Sequence, residues 1–197
     1  MEARLTLPNA LSWSRILAAF VLPVLFYFTQ SSSPGSFTIS EIARAILIIL
    51  VFLTDWLDGH LARSRNQQTE FGAKLDHIAD KILVSSLSLY FWLLEPGLPA
   101  VFVLFLLVRE WTIAFLRSQA NIPVKNIGKA KVWAEGIAFT FLAARFYTLG
   151  SLAYFVALLL AYWSAYYYLK QAMAKSTLPR KIFGVYFFYL FATALRN

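Results

Sequence analysis

The chain has 197 residues, 59% of them hydrophobic and 17% aromatic, with 14% charged, two histidines and no cysteine. Soluble domains run at about half apolar and about a quarter charged, so disorder, collagen and coiled coil are excluded and an integral membrane protein is the default. The absence of cysteine removes disulfide frameworks, thiolate zinc sites and cysteine nucleophiles, and the net charge of +8 reads as membrane orientation rather than a nucleic-acid-binding face.

A helix crosses a hydrocarbon core with about 20 mostly apolar residues. Six stretches qualify in chain order: 11–30, 39–62, 73–94, 98–118, 132–148 and 151–171. The breaks between them carry turn chemistry: SSSPGS at 31–36, the polar run at 64–70, EPGLP at 95–99, NIPVKNIGK at 121–129, and Gly150 with Ser151. None is a long linker, so residues 1–197 are expected to form a single transmembrane domain. The fold class is all-α, a polytopic membrane protein with six transmembrane helices. The first apolar run has no small-residue cleavage site, which argues against a signal peptide. The segment 180–197 is apolar and aromatic but too short to span; it is expected in the interface or packed on the bundle.

With the N-terminus inside, all but Arg44 and Arg145 of the eighteen Lys and Arg residues fall on the cytoplasmic side or half. Those two lie near outer helix ends and are expected to snorkel.

Four aspartates exist, Asp55, Asp58, Asp76 and Asp80, all in one short window. A carboxylate in or near hydrocarbon is costly unless paired, metal-bound or in a wet cavity. Asp55 and Asp58 are three apart near the inner end of the second span, and Asp76 and Asp80 four apart at the start of the third, so each pair shares a helix face. A short loop joins the two spans, so they are expected to be antiparallel neighbours whose inner ends bring all four acids together. Such a cluster requires cations, and three compensations are open: pairing with Arg63, Lys74 or Lys81; partial protonation, as in an ion pathway; or hard divalent cations. Gly59, Ala62 and Gly72 lie beside the acids, where small side chains let a bulky ligand approach the backbone. Taken singly, each also fits plain helix packing.

The order Asp55, Asp58, Gly59, Ala62, Arg63, Gly72, Asp76, Asp80 matches D-x2-D-G-x2-A-R-x8-G-x3-D-x3-D at every fixed position. That pattern resembles the signature of the CDP-alcohol phosphatidyltransferase family. The resemblance implies a six-helix membrane enzyme, usually a homodimer, that displaces CMP from a CDP-linked lipid by an acceptor alcohol. It implies two divalent cations, Mg2+ or Mn2+, on Asp55, Asp58, Asp76 and Asp80, with Asp80 also the general base. Gly59, Ala62, Arg63 and Gly72 would face the CDP-lipid. The site would open to the cytoplasm of a bacterial inner membrane, with both termini on that side.

Residues 8 to about 136 resemble the branch that makes phosphatidylglycerophosphate from CDP-diacylglycerol and glycerol 3-phosphate, through Pro8-Asn9, Leu11 and Arg15, Thr54-Asp55-Trp56, Ala79-Asp80-Lys81, Arg109-Glu110 to Arg117, and Gly128-Lys129 with Lys131. A phosphorylated acceptor calls for cations near the metals, and Arg109, Arg117, Lys129 and Lys131 are the candidates; an intramembrane arginine is expensive unless paired or binding a ligand. His77, Val132, Glu135 and Ser12 depart from that branch, where Pro, Thr, Gln and Thr are usual, and bear on the acceptor. His77 is either a hydrogen-bond partner of a metal carboxylate or a helix-start surface residue. The rival acceptors are phosphatidylglycerol, serine and inositol phosphate. A membrane prenyltransferase would want more spans and a different aspartate spacing. An ion or proton transporter would not explain Gly59, Ala62, Arg63 and Gly72.

Overall fold

The computed structural model describes residues 7–29, 39–64, 70–95, 97–120 and 126–174; within them the side chains of 55–64, 70–71, 73–74, 116–120 and 126–129, among others, lie outside the description. The described chain contains six helices: α1 (Leu7–Phe28), α2 (Ile39–Ser64), α3 (Glu70–Leu93), α4 (Ala100–Ala120), α5 (Asn126–Ala143) and α6 (Tyr147–Ala174). Each expected apolar stretch lies largely on one of them. In α6, Tyr147–Tyr168 is long and apolar enough to cross a membrane by length and composition, with 22 residues and a mean hydropathy of 1.5. A shorter apolar stretch, Ser12–Phe28, lies in α1. The apolar C-terminal segment from 180 onward lies outside the described residues.

Residues at helical spacing decide which face of α1 turns inward. Ser12, Arg15, Ala19, Leu22 and Phe26 are buried, while Leu17, Phe20, Val24 and Phe28 on the opposite side are exposed. Pro23 interrupts this helix without leaving a broken bond behind. Its ring supplies no N–H for the carbonyl four residues back, that of Ala19. The Ser86 hydroxyl of α3 donates to that carbonyl, so the gap becomes an interhelical contact.

The helices close into a ring in which α1 packs on α2 and α3, α2 on α5, α5 on α6, α6 on α4, and α4 on α3. A smaller contact joins α3 to α5 across it. The core is aromatic: Phe91 of α3 stacks on Phe139 of α5 with centroids 6.1 Å apart, and Phe139 meets Tyr154 of α6 edge-on at 5.9 Å. Tyr154 donates its hydroxyl proton to Ser88 Oγ at 3.0 Å. Among the described residues α2 and α3 each rest on α1 and α5, and a cavity lined by both lies between them; the inner ends, where the two were expected to meet, lie outside the described side chains.

The break between the last two helices also differs from the expected Gly150-Ser151. The α5 helix ends in a Schellman turn: Phe146 N–H donates to Phe141 C=O and Arg145 N–H to Leu142 C=O, both at 2.9 Å, with Arg145 at φ 61°. The rings of Phe141 and Phe146 close the motif at 6.3 Å. Gly150 instead lies inside α6, where a Cβ would stand 2.7 Å from Leu142 Cγ and 3.0 Å from its backbone nitrogen. Its sequence signal was a close approach, not a turn.

At the ends of the helices away from the aspartates, Arg44 and Arg145 are not snorkelling. Arg44 is 1% exposed and ion-paired with Glu95, and its guanidinium lies 4.9 Å from the Phe26 ring centroid. Tyr90 and Tyr147 donate to the same carboxylate at 2.9 and 3.0 Å. Arg145 pairs with Glu41 at 3.3 Å. Each arginine had an acid within reach on another helix or turn; Arg44 is buried with its partner, and Arg145 is half-buried against Glu41.

Candidate active site

The α3 helix brings Asp76 and Asp80 one turn apart on one face. Facing them is Arg15, eight residues into α1 and 1% exposed, whose Nη2 pairs with Asp76 Oδ1 and whose Nη1 pairs with Asp80 Oδ1. Ser12, one turn earlier on α1, directs its hydroxyl at Asp76 Oδ1 from 3.4 Å. The aspartate side chains keep 45% and 34% exposure. The guanidinium is therefore the buried wall of the site and the carboxylates its open side. Ser12, a departure from the usual threonine, still presents a hydroxyl at that place.

Beside Asp80 lies a cavity of about 40 Å³, room for a water molecule. Val51 and Phe52 of α2, Arg15 of α1, Asp80 and Lys81 of α3, and Lys131 and Glu135 of α5 reach its wall. Behind it is a buried ionic group. Glu110 of α4 is 1% exposed and accepts from Lys81 at Oε2, from Arg109 at Oε1, and from Lys131 at Oε1 across 2.7 Å. Lys131 also meets Glu135 Oε1 at 3.1 Å. Arg109 has every nitrogen engaged, Nε on Ala161 C=O at 2.9 Å, Nη2 on Ser164 Oγ and Nη1 on Glu110. Each of these charges is buried with a partner, as a low-dielectric interior demands.

The sequence-derived site residues divide accordingly. Asp76, Asp80 and Lys131 meet at or beside the cavity. Arg109 lies behind it and is tied to α6. Asp55, Asp58, Gly59, Ala62 and Arg63 fall on the last turns of α2, Arg117 on the end of α4 and Lys129 on the first turn of α5; their side chains lie outside the described residues. Gly72 is in the first turn of α3. Among the described side chains no three acids or histidines gather as a metal site; two of the four aspartates belong to the description. Sequence reasoning gave Arg15 no function beyond its place in a motif and Glu135 none beyond its departure from the branch, and it named Glu110 only as a partner for Arg109, a pairing that the structure contains. The signal was present: an acid within an apolar stretch must have a partner, and these two stand within reach of Lys and Arg on neighbouring helices.

The model of the CDP-alcohol phosphatidyltransferase family matches residues 5–169. The chain is similar to a CDP-diacylglycerol--glycerol-3-phosphate 3-phosphatidyltransferase of Shigella flexneri serotype 5b, 32% identical over 181 residues, covering 85% of this chain and 95% of that protein. An Escherichia coli K12 protein of the same name matches with the same identity and coverage.

Proposed function

The chain belongs to the CDP-alcohol phosphatidyltransferase family, and from that premise we propose that it transfers a phosphatidyl group from CDP-diacylglycerol to glycerol 3-phosphate, yielding phosphatidylglycerophosphate and CMP. The observation that carries this reading is the convergence of Asp76 and Asp80 on Arg15 beside a cavity that also holds Lys131.

Carboxylate oxygen is the donor that hard divalent cations prefer, and Asp76 and Asp80 present theirs on one face of α3 to the same guanidinium. Asp55, Asp58, Asp76 and Asp80 would hold two of them, Mg2+ or Mn2+. Ions held there would neutralise the charge of the pyrophosphate and polarise the phosphoryl oxygen. Asp80 accepts the proton of the acceptor hydroxyl as its oxygen bonds to the lipid phosphorus. The bond from that phosphorus to CMP breaks, and CMP leaves with the electron pair. Proton acceptance by a positioned base contributes about 100- to 10,000-fold. Arg15 and Ser12 hold Asp76 and Asp80 in register for it.

The small residues Gly59, Ala62 and Gly72, with Arg63, form the surface for the CDP moiety. Arg117 and Lys129 bind the acceptor phosphate, while Lys131, held by Glu110 at 2.7 Å and Glu135 at 3.1 Å, lines the cavity beside Asp80. Arg109 supports them from behind, because its nitrogens are committed to Glu110, Ala161 and Ser164.

The six helices span the bilayer in this reading. Its support is the outward apolar belt: Leu17 and Phe20 on α1, Leu104 and Val108 on α4, Leu159 and Trp163 on α6 are all exposed, a surface that water would penalise. The aspartate end and both termini face the cytoplasm across a bacterial inner membrane, following the bias of Lys and Arg. A homodimer belongs to the same reading.

Incubation of the purified protein with CDP-diacylglycerol, Mn2+ or Mg2+ and a varied alcohol, with CMP measured, tests it. Release is expected with glycerol 3-phosphate. No release with any alcohol removes the enzyme reading, and release with serine but not glycerol 3-phosphate reassigns the acceptor.

A further inference from the structure

Glu110 takes three cations on one carboxylate, and the mechanism above gives it no task. Three cations end on it, Lys81 on one oxygen and Arg109 and Lys131 on the other, and Glu135 adds a single second anion. Two of those cations are near neighbours of the reactive end: Lys81 follows Asp80 in the chain, and Lys81 and Lys131 reach the same cavity wall as Asp80. Glu110 itself does not line that cavity.

We infer that Glu110 is a positioning residue for divalent-cation binding: it holds Lys81 and Lys131, so that neither ammonium is added to Asp76 and Asp80 in competition with a metal ion. The inference rests on the metal-dependent reading above. Asp76 and Asp80 already share the guanidinium of Arg15 through one oxygen each. An ammonium added to the same carboxylates competes directly with a divalent ion. A lysine has a flexible four-carbon stem, and the acids that line the same cavity as Lys81 are Asp80 and Glu135. Loss of the Glu110 charge acts in the same direction through space, because it makes the potential around the site more positive in an interior where charges are weakly screened. Both effects weaken cation binding, so the sign of the outcome is determined.

The test is a Mn2+ titration of the full-length protein in detergent, with free Mn2+ read from its electron paramagnetic resonance signal and no substrate present. Glu110→Gln, which keeps the shape and removes the charge, is expected to weaken Mn2+ binding about tenfold. Adding Lys81→Met to that variant removes the released cation and should bring affinity back to within about threefold of the starting protein, the non-additivity expected of residues that act through one another. Glu110→Asp retains the charge but shortens its reach, and should give an intermediate loss; it stands in should Glu110→Gln not fold. Mn2+ affinity unchanged in the Gln and Asp variants overturns the inference. So does an affinity loss that Lys81→Met leaves uncorrected, since a merely structural tie would behave that way. Wild-type protein that binds Mn2+ yet releases no CMP with glycerol 3-phosphate would sink the proposed reaction and leave this inference standing.

Discussion

The two ends of the helical ring both bury charge, and they do so in opposite styles. Away from the aspartates, Glu95 receives one arginine and two tyrosine hydroxyls, and its side chain and that of Arg44 are closed to solvent. Charge there is matched one to one. At the aspartate end, Lys81, Arg109 and Lys131 face two carboxylates in the interior, while Asp76 and Asp80 remain substantially open beside Arg15. A matched, sealed ion pair ties helices together and offers nothing to a ligand. An open pair of acids next to an excess of buried cations is a place where an anionic substrate and its metals can be received. Under the proposed function the first end is structural and the second is where the reaction takes place.

Five substitutions can break or sharpen that contrast. The largest effect is expected for Asp80→Asn, which should lower CMP release by about 100- to 10,000-fold while CDP-diacylglycerol binding, read by equilibrium dialysis with labelled lipid, largely survives. Undiminished turnover would remove Asp80 as the base. At the sealed end, Arg44→Met leaves Glu95 charged and buried with only tyrosine partners, at a cost of about 3 kcal/mol in unfolding free energy. Pairing it with Glu95→Leu should recover most of that loss, and Mn2+ affinity should not move in either variant. A change in Mn2+ affinity there would erase the distinction between the ends.

Gly150→Ala forces a methyl into Leu142 and should lower stability by about 2 kcal/mol, again without altering metal binding. The smallest effect belongs to Ser86→Ala. It strips the Ala19 carbonyl of the hydroxyl that compensates for Pro23, and about 1 kcal/mol is expected. Thermal unfolding in detergent measures both, and a neutral Ser86→Ala would show that the carbonyl finds another donor.

Much of the bundle was legible because helical periodicity is a local property. Six apolar stretches correspond to six helices, with ends displaced by a few residues where caps and turns decide them. The α5–α6 junction escaped the sequence reading for a physical reason: glycine marks both turns and close contacts, and Gly150 serves the second while an arginine takes the left-handed position of the turn. The aspartate signature was equally legible, since its spacing lies within two helices and their connection. The partners of Arg15, and those of Glu110 beyond its chain neighbour Arg109, were not. They lie 61 and 65 residues away for Arg15, and 29 for Glu110 with Lys81. No short-range pattern encodes such distances.

By itself the sequence determined that the chain is helical and apolar, that its aspartates are concentrated in one window, and that they carry a family signature. Each of these follows from composition or from spacing along a single helix. Only the tertiary structure decided which charges meet. Whether Arg44 reaches for water or for Glu95, and whether Lys131 faces open space or Glu110, depends on how each helix is rotated about its axis in the ring. That rotation is set by the summed packing of side chains from distant parts of the chain.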